Sequence, residues 1–262
     1  MLFRSVRLGW ESYGAGLATA LSQYAMLLVG GLLLLRSVAW AKVWQQRSSL
    51  LNRQALTQLF RLNRDIMVRT WALLLSFGLF TSLSGTLGTD TLAVNTLLLQ
   101  ALMLVSYFLD GIAFATESYA GRLHAQQQQA RLRTLAVVAG GLSVGLGMGC
   151  AISFITFSQP LFGLLTDHQT VLLQLNQYVL WLLPVFGFGA VAFMFDGYFL
   201  GLTSGNILRN STVIATGLGF LPLALAAYFT QSAHILWLAM TCFMGLRAIT
   251  LALAYTQRLK SS

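Results

Sequence analysis

Seven long apolar runs separated by short polar breaks organise this chain: 13–35, 66–86, 91–122, 134–157, 171–200, 205–229 and 235–255. A helix needs about 20 residues to cross a hydrocarbon core roughly 30 Å thick, and each run is long enough. The runs are continuous, rich in Leu and Ala, and lack the period-two alternation of a barrel strand. The pattern therefore predicts an all-α polytopic membrane bundle of seven transmembrane helices. The one sizeable polar break, 37–63, keeps Trp40, Trp44, Leu50, Leu59 and Phe60 between basic residues. It is expected to be a linker between helical units, with a face suited to the inner headgroup layer.

Composition narrows the class further. Hydrophobic residues make up 56% of the 262 and charged residues 9%, and the mean hydropathy of +0.71 excludes a soluble globular domain. The net charge of +9 does not point to nucleic acid, because the basic residues fall between the apolar runs rather than on a folded basic face. They read as topology signals. Arg36, Lys42, Arg47, Arg53, Arg61 and Arg64 follow the first run, Arg131 and Arg133 the third, and Arg258 and Lys260 end the chain. The intervening breaks carry no Lys or Arg and hold Asp90 and Asp167. Positive residues stay inside, so the C-terminus is expected in the cytoplasm, the start of the chain outside, and the bilayer is expected to be the inner (plasma) membrane. Arg4 and Arg7 depart mildly from that rule. A cleavable signal peptide fits them poorly, because the first run exceeds an ordinary signal core and Arg36 interrupts it before Ala39-Trp40-Ala41. Cys150 and Cys242 lie inside predicted helices, which favours small apolar fillers over a disulfide or a metal site.

Ionisable residues inside such runs are the candidates for function. Asp110 and Glu117 are seven positions apart, almost two helical turns, so they project from one face. Measured from Thr91, Asp110 lies about 28 Å along its helix and Glu117 about 39 Å, toward the inner boundary. Asp196, four residues from the inner end of its run, reads at the same level. Three roles are open for these acids: lining a cavity or inner gate, pairing at helix ends, or binding a proton or sodium ion directly. Arg247 lies too far inside the last run to snorkel, so a buried partner is expected among Asp196, Glu117 and free carbonyls. Arg69, about a turn inside the second run, is expected at headgroup level.

Neutral polar groups at membrane depth either tie helices together or face a cavity. Asn95, Gln100 and Tyr107 accompany the acids, and Gln174, Asn176, Gln177 and Tyr178 open the fifth run. Phe186, Phe188, Phe193, Phe195 and Tyr198 either line a cavity by stacking and cation-π contact or face lipid. Gly141, Gly145 and Gly149 form a four-residue stripe expected to admit a neighbouring helix closely. Pro184 and Pro222 each remove a helical hydrogen bond and are expected hinge points. With Gly187, Gly189, Gly197 and Gly201 beside Pro184, the fifth span is expected to be the bent or mobile one. His124, His168 and His234 have no acid or thiol at metal-ligand spacing, and no nucleophile triad or phosphate loop is visible, so an enzyme is not expected.

Three phrases carry a family resemblance: Asn63-Arg-Asp-Ile-Met-Val-Arg-Thr70, Tyr107-Phe-Leu-Asp-Gly-Ile-Ala-Phe-Ala-Thr-Glu117 and Phe195-Asp-Gly-Tyr-Phe-Leu-Gly201. They resemble the seventh, eighth and tenth helices of the multidrug and toxic compound extrusion (MATE) family, most closely its DinF-like branch. The run Gly14-Ala-Gly-Leu-Ala-Thr-Ala-Leu-Ser-Gln-Tyr24 resembles the sixth helix of that family. The resemblance implies cation-coupled antiport of organic compounds, driven by protons or sodium without a cofactor, through two six-helix lobes. On that pattern 1–35 is the last helix of a first lobe, 36–64 the inter-lobe linker and 65–262 a six-helix second lobe. The rest of the first lobe, or a second chain, would supply the other wall of the cavity. Asp196 matches the tenth-helix acid of the family and Asp110 and Glu117 its eighth-helix pattern, while no acid falls in the run 66–86. The mainly acidic intramembrane charge favours cationic or neutral cargo. A lipid-linked precursor flippase of the same superfamily and an inactive remnant are the alternatives.

Overall fold

The computed structural model of the chain describes residues 11–37, 53–166 and 169–261. All regular structure there is helical, with no strand among the described residues. The elements are α1 (Glu11–Ser37), α2 (Arg53–Thr86), α3 (Thr89–Ala125), α4 (Gln129–Thr156), α5 (Ser158–Gly163), α6 (Gln169–Tyr178), a 3₁₀ turn (Val179–Trp181), α7 (Leu182–Gly201), α8 (Gly205–Ile214), a π-helical segment (Ala215–Phe220), α9 (Leu221–Thr230) and α10 (Ala233–Ser261). The 3₁₀ turn joins α6 to α7 and the π segment joins α8 to α9. Seven helical stretches are then long and apolar enough to cross a bilayer: Gly16–Arg36, Leu56–Thr86, Thr89–Ala125, Gln129–Thr156, Thr170–Gly201, Gly205–Thr230 and Ala233–Lys260. The all-α reading with seven spans holds. The chain divides into two compact units at Thr57/Gln58, and six of the spans belong essentially to the second.

One boundary differs from expectation with consequences for the site. α2 starts at Arg53 rather than near 66, so the last twelve residues of the expected linker are helical. No Gly or Pro interrupts 53–66, and the long aliphatic stems of Arg61 and Arg64 let charge leave a helix without ending it. The polar stretch marked a change of surroundings, not a change of backbone. Residues 38–52, with most of the expected surface helix, lie outside the described residues, as do Arg4, Arg7, Asp167 and His168.

The two prolines coincide with breaks of helical regularity. Pro184 follows the 3₁₀ turn Val179–Trp181, and Pro222 follows the π segment Ala215–Phe220. Each proline lacks the N–H that would bond the carbonyl four residues back, and the preceding turn tightens or widens in response. The widened segment turns Thr216 toward α2, where its hydroxyl lies 3.1 Å from that of Ser76.

α7 is apolar on every face and is the central helix, packed against α3, α4 and α10. Its close contact with α3 depends on Gly197 and Gly201: a Cβ at Gly197 would fall onto the Ala113 carbonyl, and one at Gly201 onto the Glu117 carbonyl. These glycines therefore serve close packing and not the flexibility expected of them. The stripe on α4 is corrected too. Gly141, Gly145 and Gly149 are exposed, with nothing within 4 Å of a built Cβ. The face that meets α7 is one rotation away, at Ala136, Ala139, Ser143, Gly147 and Ala151, where a Cβ on Gly147 would sit 2.9 Å from that of Ala190. Small residues lie on both faces of α4, so four-residue spacing did not identify the buried one.

The apolar core forms two clusters. The larger includes Phe80, Val94, Leu98, Val105 and Leu109 on α3, Phe186, Ala190, Trp237 and Met244. The smaller includes Ala120, Leu132, Phe199, Leu208, Ala248 and Leu251. Asp110 on α3 and Arg247 on α10 fall at the level where one cluster gives way to the other.

Candidate functional site

At that level α2, α3, α7 and α10 bring four charged residues together. Asp196 Oδ2 accepts a hydrogen bond from Arg247 Nη2 at 2.5 Å and another from Arg69 Nη2 at 2.5 Å. Arg247 is 1% exposed and the Asp196 side chain 5%, so the pair is out of water, while Arg69 keeps 15% of its side-chain surface. Asp110, half-buried, lies within electrostatic reach of Asp196, Arg69 and Arg247 but makes no direct hydrogen bond or ion pair among the described residues. Two arginines and two aspartates balance to zero. A lone buried charge would cost several kcal/mol, and this arrangement offsets that cost by sharing one carboxylate oxygen between two guanidiniums. The Arg247 guanidinium also lies over the rings of Phe193 and Phe243, at 5.9 and 5.6 Å from their centroids.

The expected buried partner of Arg247 is thus Asp196. Arg69 is corrected: it is not a headgroup anchor, because α2 begins thirteen residues before 66 and Arg69 falls at its midpoint. Asp196 is close to the end of α7, yet it meets Arg247 fourteen residues from either end of α10. α2, α3 and α10 all continue for turns past the end of α7, so the cluster lies at mid-helix for two of its four contributors.

Beside the cluster opens a cavity of about 190 Å³, walled by Arg69, Arg247 and Ser106 and by apolar side chains including Phe77, Leu102 and Phe193. Neither Asp196 nor Asp110 lines it. A second cavity of about 450 Å³ lies on the other side of Met103 and is lined by Gln100 and Tyr107 with Phe154 and Leu161. Gln100 and Tyr107 therefore face a cavity, though not the one beside the charges.

Other expected site residues are elsewhere. Asn95 is 1% exposed and ties three helices, donating to Ser84 Oγ at 2.8 Å and accepting from Trp237 Nε1 at 2.9 Å. Its role is the helix-joining one. Tyr178 stacks on His234, with ring centroids 4.8 Å apart, and Trp181 Nε1 donates to His234 Nδ1 at 3.2 Å. Tyr198 is packed in the smaller core cluster against Tyr255. Glu117 is half-buried at the glycine crossing of α3 and α7, without an ion pair among the described residues. Of the five aromatic residues on α7 expected either to line a cavity or to face lipid, only Phe193 lines the cavity beside the charges; Phe186 and Phe195 are core and Phe188 is 42% exposed.

Sequence reasoning missed a second buried acid. Asp65 is 3% exposed and accepts from Arg209 Nη1 at 2.6 Å, with Arg64 Nη2 at 3.2 Å, joining α2 to α8. The signal was present: 53–66 has no breaker, so an acid just before the apolar run belongs to the same helix. Among the described residues no cluster of three or more His, Cys, Asp or Glu is arranged to hold a metal ion.

Comparison with known proteins matches this architecture. The chain is 32% identical over 241 residues to DNA damage-inducible protein F of Escherichia coli (strain K12), covering 91% of this chain and 52% of that protein. It is 29% identical over 253 residues to Protein DETOXIFICATION 44, chloroplastic, of Arabidopsis thaliana, covering 92% and 45%. The chain thus spans about half the length of the curated relatives it matches. Among solved structures, the Vibrio cholerae MATE transporter VcmN in its bent form superposes with a TM-score of 0.66 at 21% identity, over 86% of this chain and 53% of that one. A MOP superfamily transporter from Pyrococcus furiosus gives 0.66 at 19%, over 78% and 45%. These likenesses show the fold. The MatE family model matches residues 66–225, more than half of the chain and the stretch that includes Arg69, Asp110 and Asp196; the chain belongs to the MatE family.

Proposed function

We propose that this chain works as the second half of a MATE-type exporter, moving small amphipathic organic compounds outward against an inward flow of protons or sodium ions. Residues 58–262 act as a six-span lobe, α1 is the last helix of the first lobe, and the intervening stretch links them. The remaining first-lobe helices come from additional sequence or a second chain, and the cargo passes between the lobes as one rocks against the other. The membrane is the inner (plasma) membrane, with the C-terminus of α10 in the cytoplasm.

What carries this reading is the buried Arg69–Asp196–Arg247 bridge at mid-helix, with half-buried Asp110 beside it and a cavity alongside. Charges at membrane depth are costly and mark ion or solute paths. Asp110 is the acid best placed to take up the coupling cation, because uptake there breaks no existing bridge. Its charge change would then act on Asp196 and both arginines through space.

The test is drug accumulation in cells expressing the chain alone and joined to a first lobe. Lower accumulation that collapses when the ion gradient is dissipated supports antiport, and activity confined to the joined form identifies a half-transporter. No effect in either form overturns the reading and leaves an inactive remnant. One observation favours a second reading, a lipid-linked precursor flippase: the cavity wall carries arginines rather than acids. Accumulation of a lipid-linked intermediate on deletion would decide for it.

A further inference from the structure

We infer that the cavity between α2, α3, α7 and α10 receives the anionic group of a small amphipathic compound, with Arg69 and Arg247 as its recognising pair. The inference rests on the export reading and specifies its substrate class. It departs from the cationic or neutral cargo that an acid-rich interior led us to expect.

The premise of that expectation fails on geometry. Asp196 is held behind two guanidiniums, and neither it nor Asp110 reaches the cavity wall, whose charged side chains among the described residues are Arg69 and Arg247. The field felt by an occupant is set by the nearest charges in a low-dielectric wall, and here these are positive. A cationic head would meet two guanidiniums at short range without a carboxylate between.

Hydrogen-bonding capacity points the same way. Two guanidiniums carry ten N–H donors between them and no acceptor. Among the described residues Arg69 donates only to Asp196, and Arg247 only to Asp196 and, at 3.8 Å, to the Met244 sulfur. Nε of Arg69 and Nε of Arg247 are buried without a partner, as is Asp196 Oδ1, and none of the three is open to the cavity, which leaves the Nη groups as the donors an occupant can reach. The remaining donors suit a planar carboxylate or similar oxyanion, which guanidinium recognises through charge-assisted bonds.

The rest of the wall defines what the anion is attached to. Phe77, Leu102 and Phe193 make it apolar, and the Ser106 hydroxyl donates to the Leu102 carbonyl at 2.8 Å, which leaves the arginines as its donors to an anion. About 190 Å³ accommodates a single ring with its acidic group rather than a whole drug-sized molecule, for which pockets run from about 300 Å³ upward.

The experiment follows thermal unfolding of the purified chain in detergent with three probes of one shape: benzoate, benzamide and benzylammonium. A ligand that binds the folded state raises the midpoint by an amount that grows with the logarithm of its concentration relative to Kd. Benzoate is expected to raise it by several degrees at millimolar concentration, and the neutral and cationic isosteres are not. Arg69→Gln is expected to require at least tenfold more benzoate for the same shift, and Arg69→Lys to recover part of it. Ser106→Leu narrows the cavity without touching either bridge and is expected to abolish the benzoate shift, so the idea remains testable even where an arginine variant misfolds. It is overturned if benzylammonium stabilises as well as benzoate, if the benzoate shift survives Arg69→Gln or Ser106→Leu, or if chloride or phosphate reproduces the whole effect. Gradient-driven export of cationic drugs with no benzoate shift would sink the anion site alone. A benzoate shift in a protein that exports nothing when joined to a first lobe would sink the export reading instead.

Discussion

Asp196 is the single residue on which most depends, because two guanidiniums converge on one of its oxygens. Replacing it with Asn leaves Arg69 and Arg247 facing each other with a neutral amide between them. Breaking a buried pair from one side costs about 3–5 kcal/mol, and removing the shared acceptor strands two cations at once. Asp196→Asn is therefore expected to lower unfolding stability in detergent more than Arg69→Gln does. Arg69 is partly exposed, and its loss leaves the Arg247 pair whole. Equal losses would show that the shared carboxylate is not the centre of the cluster. Asp110 behaves differently. Having no bridge to break, Asp110→Asn is expected to destabilise less than Asp196→Asn does, its cost coming from the one net positive charge left in the cluster. In the joined form it should lose the gradient dependence of export. An Asp110→Asn protein that still exports in a gradient-dependent way would remove this residue from coupling.

Two elements show how helices in this bundle are held at different distances. α3 and α7 meet backbone to backbone through Gly197 and Gly201. Overpacking such a contact costs about 1–3 kcal/mol or more, so Gly197→Ala is expected to destabilise by at least that amount. Gly145→Ala, on the open face of α4, is expected to cost nothing and to gain up to about 1 kcal/mol of helix propensity. Unfolding of the two variants side by side checks both signs. α2 is held both by side chains reaching across, Asp65 to Arg209, Arg69 to Asp196, Ser76 to Thr216 and Ser84 to Asn95, and by Phe80, which is fully buried and meets the Trp237 ring edge-on at 5.0 Å. The Ser76–Thr216 bond lies at the π segment before Pro222, and a double-mutant cycle with Ser76→Ala and Thr216→Val is expected to give a coupling of about 0.6–2 kcal/mol.

For the whole molecule, the arrangement of the core matters more than any one contact. Two apolar clusters meet at the level of Asp110 and Arg247, so the second unit is not uniformly hydrophobic along its length but is divided by a neutral charge cluster. Such a layer costs stability relative to a wholly apolar interior. The chain spans about half the length of its curated relatives. The expected outcome is gradient-dependent drug export by the form joined to a first lobe and little by the chain alone, measured as intracellular accumulation.

Span number, helix type and membrane class were legible in the linear order of residues because a bilayer imposes a local rule. About 20 consecutive apolar residues must satisfy their own backbone, and no distant partner enters that condition. The need of Arg247 for a buried partner was equally legible, since depth along one helix is a local quantity. Arg69 and Asp196 are 127 positions apart, and nothing in either neighbourhood records that they meet. Which glycine stripe of α4 is buried, which wall Phe193 faces, and whether acids or arginines line the cavity all depend on how each helix is rotated about its own axis. Rotation is decided by the neighbours a helix packs against, and for α7 those neighbours, α3, α4 and α10, lie both before and after it in the chain. The charge of the cavity wall came from that rotation rather than from the tally of acids and bases.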